Sequence, residues 1–179
     1  MMLEYALRRY DIDIEVSPVK TLLVEQVVHS FRIEEEEWIK RYDNHKDTPW
    51  DKLEGMSQRE ALIWMSEEVF KPKFGKDFYG KMYTRMWENE ILAPELLLIP
   101  DAGFIEEDKT IIEYFGKDNC VMINTYREGT TFENDSRYLI TGDDLGIKGY
   151  DVRNNGTIDD LKAKVPTFTD IVLEYLELI

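Results

Sequence analysis

An α/β fold, a small parallel sheet flanked by helices, follows from three features of the sequence. Two short, continuous apolar runs, Glu95-Leu-Leu-Leu-Ile-Pro100 and Cys120-Val-Met-Ile-Asn-Thr125, have the length and character of buried strands. Between them, Glu106–Phe115 is amphipathic at helical spacing and is stopped by Gly116. Earlier in the chain, Asp11-Ile-Asp-Ile-Glu-Val16 alternates polar and apolar with period two, as a half-buried strand does. Strands joined through a helix form a right-handed parallel unit, and such sheets bind ligands outside their carboxyl ends. Asp101 and Arg127 follow the two apolar runs and are predicted to stand at that edge.

The remaining elements follow in chain order. Leu3–Tyr10 closes a helix ahead of the first strand. Ser17 and Pro18 have the residue types of an N-cap and a first turn, and Leu22, Leu23, Val27, Val28 and Phe31 recur at helical spacing after them. Glu34–Glu37 with Trp38 and Ile39 reads as a second short helix, and Asn44–Asp51 as a polar loop. Ser57-Gln-Arg-Glu60 is a capping-box pattern that opens a helix with Ala61, Leu62, Met65 and Val69 on one face. The tail, Thr157–Val165 and Thr167–Leu178, is helical in pattern. With 179 residues and no internal repeat, residues 1–179 are expected to form a single domain.

Charge narrows the function classes. There are 22 Lys and Arg against 37 Asp and Glu, a formal net charge of −15. Phosphate contacts need a cationic surface, so direct binding to a nucleic-acid duplex is not expected. An acidic surface serves solubility, and it also suits occupation of a basic host protein. No apolar run approaches the ~20 residues of a membrane span. One cysteine, Cys120, leaves no disulfide framework, and a cytoplasmic protein is the expectation. His29 and His45 are the only histidines, and no Cys/His spacing suits a metal.

One stretch imitates a nucleotide site. Gly75-Lys-Asp-Phe-Tyr-Gly80-Lys81-Met82 is one residue short of the phosphate-loop pattern G-x-x-x-x-G-K-[ST]. A working loop follows a buried strand and uses small residues so that backbone N–H groups converge on phosphate. Here Lys71-Pro-Lys-Phe74 precedes it, Phe78 and Tyr79 fill it, and Met82 stands where the hydroxyl belongs. Tyr79, Met82, Tyr83 and Met86 instead share one helical stripe. The segment is expected to be a packed helix.

SQREALIWMSEEVFKPKFGKDFYGKMYTRM (57–86) followed by LLLIPDAGF (96–104) resembles the deoxynucleoside monophosphate kinases of bacteriophages. The resemblance continues through TYREG (125–129), NDSRY (134–138) and RNNGTIDDLKAKV (153–165), in the family's order and spacing over most of residues 4–165. It implies a kinase fold of the phosphate-loop type, truncated here, because the family's opening strand and glycine-rich loop have no counterpart within these residues. It also implies catalytic places for Asp101, Arg127 and Arg137, the last two as lid cations. Lys46, Arg59, Lys73, Lys81, Arg85 and Asp135 are implied on the monophosphate side. Three positions depart from the pattern: Gly103 replaces the arginine of Asp-x-Arg-Phe, Arg137 stands where His is common, and Ile140 where an acid is common.

Phosphoryl transfer depends on positioning and on cations that neutralise the transferring group. Without loop amides, lysine and hydroxyl, the donor site lacks most of its parts. The leading expectation is therefore a kinase-like protein that binds a deoxynucleoside monophosphate or a protein without catalysis and needs no cofactor. A second is a deoxynucleoside monophosphate kinase, using ATP and magnesium, whose loop comes from a segment outside these residues. A third is an acidic phage inhibitor that mimics nucleic acid and occupies a host protein in the host cytoplasm.

Overall fold

The computed structural model describes residues 5, 8–88, 90, 93–131 and 138–179. Residues 8–10 are helical and lead into β1 (Ile14–Val16). Helices α1 (Lys20–Phe31) and α2 (Glu35–His45) follow, then a 3₁₀ turn at Asp51–Leu53. A continuous helical rod comes next: α3 (Gln58–Ile63), a π-helical stretch (Trp64–Phe70) and α4 (Lys71–Phe74). Then come α5 (Phe78–Trp87), β2 (Leu96–Leu98), α6 (Ile105–Phe115) and β3 (Val121–Tyr126). The short α7 (Gly142–Leu145), β4 (Lys148–Arg153) and the long α8 (Ile158–Tyr175) complete the order.

The class is α/β with parallel strands, but the strands do not join into one sheet. β1 pairs in parallel with β2, Ile14 opposite Leu96, and β3 pairs in parallel with β4, Val121 opposite Lys148. The expected pairing of the runs 95–100 and 120–125 is therefore corrected: they are joined through α6 yet belong to different sheets. Two helices tie the halves together. On one face, Ile111 of α6 joins Val19, Leu22, Tyr79 and Tyr83, with Leu97 and Ile99 packed against them. Its neighbour Ile112 joins Ile140 and Leu145, with Met122 of β3 packed alongside. On the other face, Leu173 of α8 packs with Ile12, Ile14 and Leu96, while Lys164 near the start of α8 donates to the Arg153 carbonyl at the end of β4. Alternate residues of β2 thus face opposite helical layers, as strand geometry requires.

Local chemistry explains most element boundaries. The Ser57–Glu60 capping box forms in full, with the Ser57 N–H donating to Glu60 Oε2 at 2.8 Å. Thr157 and Asp160 build the same device at the start of α8. Ser17 does not cap α1; its amide pairs with the Leu98 carbonyl at 3.0 Å and the cap comes from elsewhere. The wider π turn rotates the rod between Trp64 and Phe70. Val69, expected on the buried face with Ala61, Leu62 and Met65, is exposed, and Phe70 packs inward instead. The tail is one helix that runs through Pro166 rather than two. Phe78–Trp87 is α-helical with Tyr79 and Tyr83 buried, so the phosphate-loop imitation is a packed helix; Met86 at the end of its stripe is exposed.

Candidate functional site

The carboxyl edge of the β1–β2 sheet holds one of the predicted residues, Asp101, and the start of α1 beside it leads to two more. Asp101, three residues past β2, turns its carboxylate onto the start of α1. Oδ1 accepts the Val19 N–H at 3.0 Å and Oδ2 the Lys20 N–H at 2.7 Å. The first amides of a helix lack intrahelical partners, so this acid from another element supplies the missing cap. It also fixes where Lys20 begins.

Lys20 Nζ lies 4.9 Å from the centre of the Tyr42 ring, and Lys46 Nζ lies 5.5 Å from the same ring. Lys46 in turn receives the Arg59 amide on its carbonyl at 3.1 Å, which ties the loop after α2 to the start of α3. The Arg59 guanidinium pairs with Asp47 at 2.5 Å, both half-exposed. Arg41 lies over the Trp50 ring at 5.0 Å and donates to Thr48 and to the Pro49 carbonyl. Lys20 and Lys46 therefore share the Tyr42 ring, while Arg41 is held by Trp50 and the 48–49 turn and Arg59 by Asp47. Each ring holds a cation through its electron-rich face.

Lys46 and Arg59 are the predicted residues brought together here. Lys20, Arg41 and Tyr42 are additions that the sequence reading missed. Lys20 carried a weak signal, its place at the predicted start of a helix; Arg41 and Tyr42 carried none beyond a polar helix face. The other candidates are engaged locally or exposed. Lys81 pairs with Asp77 one turn away at 2.6 Å, and Lys73 lies over Phe74 at 5.4 Å. Arg85 is exposed on α5, and Arg127 is exposed just beyond β3. Asp135 and Arg137 lie outside the described residues. An open groove of about 460 Å³, lined by Asp151, Arg153, Lys164 and Phe168, is formed by β4 and α8 and involves none of the predicted residues.

A second constellation, absent from the sequence reading, is a buried charge cluster at the start of α6. Lys71, Glu107 and Asp108 are each at most 7% exposed. Lys71 Nζ pairs with Glu67 at 2.8 Å and stands 3.0 Å from Glu107 Oε1, an ion pair without good hydrogen-bond alignment; it also lies 3.6 Å from the centre of the Phe104 ring. Asp108 Oδ2 is buried with no hydrogen-bond partner. Burial pushes both carboxyls up to about 7. The Lys71 charge works against the shift at Glu107, and the Glu107 charge adds to it at Asp108.

Comparison with known protein families, with characterised proteins and with solved structures finds no match for this chain. Among the described residues no group of His, Cys, Asp and Glu could hold a metal ion, and no helix is long and apolar enough to cross a membrane.

Proposed function

We propose that this chain is a deoxynucleoside monophosphate kinase-like protein that binds the acceptor nucleotide and does not transfer phosphate by itself. The observation that carries this reading is the split sheet. β2 and β3 each pair in parallel with a neighbour, are joined in the chain through α6 and pack against its two adjacent residues Ile111 and Ile112, yet they do not pair with each other. That is the arrangement expected of a kinase sheet lacking the strand that leads into the glycine-rich loop. Lys20 and Lys46, which share the Tyr42 ring, offer the charge-assisted contacts a monophosphate dianion needs, and Arg59 stands on the turn tied to Lys46, where a phosphate would compete with Asp47 for its guanidinium. Asp101 supports Lys20 by fixing the start of α1.

Calorimetric titration with each deoxynucleoside monophosphate tests the reading. At least one is expected to bind with sub-millimolar affinity. Lys46→Ala should weaken it about tenfold, or 1.4 kcal/mol. Coupled assays with ATP and magnesium should stay at background. Failure of every monophosphate to bind at millimolar concentration overturns the acceptor site, and turnover by the chain alone overturns the missing donor site. A chain extended by a strand and glycine-rich loop that gained turnover would extend the reading to a working kinase.

A further inference from the structure

The buried cluster on α6 sits at a close crossing of α5 and α6. Gly80 of α5 crosses α6 at Glu107 so closely that an added Cβ would meet the Glu107 carbonyl oxygen at 2.6 Å and its Cα at 2.9 Å. The backbones touch, so the Glu107 and Asp108 side chains cannot retreat by sliding one helix along the other. Two carboxyls adjacent in sequence are held there, Glu107 beside the Lys71 ammonium and Asp108 with one oxygen unpartnered. The groups around them are mostly acidic. Glu67 comes from the π stretch, Asp101 from the loop after β2, and Glu106 from α6 itself. Asp144 comes from α7, while Tyr79 of α5 and Tyr138 add uncharged phenols. The cations nearby are Lys71, Lys76, 3.8 Å from Glu106, and Lys109, whose charge is felt at Asp144. An ionised Asp108 in such surroundings is costly, because the Gly103 amide is a single donor to its carboxylate and Oδ2 is left without a partner.

We propose that Lys71, Glu107 and Asp108 form a proton-operated latch on the crossing of α5 and α6, closed while Asp108 is protonated and loosened when its proton leaves. In the closed state one carboxylate answers the Lys71 ammonium and the protonated carboxyl carries no charge. Loss of the proton leaves a buried Asp108 carboxylate facing the charges of Glu107 and Asp101, and the strain falls on the contact at Gly80 and on the loop that presents Asp101. The latch thereby links proton concentration near neutrality to the edge that holds the start of α1.

The sign follows from proton linkage. Both carboxyls bind protons more tightly in the folded chain than in the unfolded one, so the native state carries more protons between the ordinary carboxylate range and about pH 7. Stability therefore falls as pH rises through that window and levels off above it. Thermal unfolding of the full chain between pH 5.5 and 8.5 should show the melting temperature dropping by about 4 °C or more. Asp108→Asn removes the proton and keeps the shape, and should flatten most of the drop. Parallel profiles for wild type and variant would overturn the latch. Carboxyl-carbon titration of the wild type by nuclear magnetic resonance supplies the second measurement and does not depend on the variant folding. One Asp or Glu resonance should titrate with a midpoint above pH 6, and titration of every carboxyl below pH 5 would overturn the proposal.

Discussion

Asp101 and Gly80 show how single residues set the geometry of this molecule. Asp101 was predicted as a catalytic acid at a strand end, and its place at that end is correct. Its two oxygens are spent on the Val19 and Lys20 amides, a partnership across 81 and 82 residues that no local pattern announces. Gly80 has the opposite history. As part of a near-match to a phosphate loop it suggested conformational freedom, but its function is close approach, backbone against backbone, at Glu107. Alanine there would gain about 1 kcal/mol of helix propensity. The clash with a carbonyl and a Cα, neither able to swing away, outweighs that gain. Gly80→Ala should lower stability by about 1–3 kcal/mol net, read as a lower urea midpoint at unchanged slope. A neutral or stabilising result would show that the crossing is looser than the contact distances require.

At the scale of elements, what the sequence made legible was the set of apolar runs and caps. The Ser57 capping box, the Gly116 stop and the strand cores at Leu96 and at 121–125 all rest on short-range chemistry that survives any tertiary arrangement. β4 was not legible, because Lys148–Arg153 buries Val152 alone and otherwise reads as a polar loop. The π turn was hidden too, since Val69 fits a helical stripe until one wider turn displaces it. The charge cluster gave no signal because Lys71 and Glu107 lie 36 residues apart and each looks like a solvated surface charge. In α8, Pro166 suggested a break, yet the helix continues through it because packing on both sheets outweighs one lost hydrogen bond. That bond and the ring's clash with the preceding turn remain a cost. Pro166→Ala should raise stability by about 1 kcal/mol or more, seen as a higher melting temperature. A loss of stability would mean that Pro166 itself shapes the contacts α8 makes at Arg153 and through Leu173.

The whole molecule is two parallel sheet fragments clamped between helical layers, and its unusual feature is the pair of edges this leaves. In β2 the Leu96 amide bonds the Asp13 carbonyl, and the Leu98 carbonyl accepts from Ser17. A parallel ladder uses alternate residues, so the Leu97 and Ile99 amides point to the opposite edge. A strand that is apolar on both faces, as Leu96–Ile99 is, normally sits inside a sheet; at an edge it invites pairing with another chain. Amide hydrogen exchange reads this directly. Leu96 and Leu98 should exchange slowly, while Leu97 and Ile99, flanking them in sequence and equally apolar, should exchange at least tenfold faster. Adding a parallel strand that completes the sheet should slow Leu97 and Ile99 and leave Leu96 and Leu98 unchanged. Equal protection of all four amides in the chain alone would show that the outer edge of β2 is already paired, and the missing-strand reading of the split sheet would fall with it.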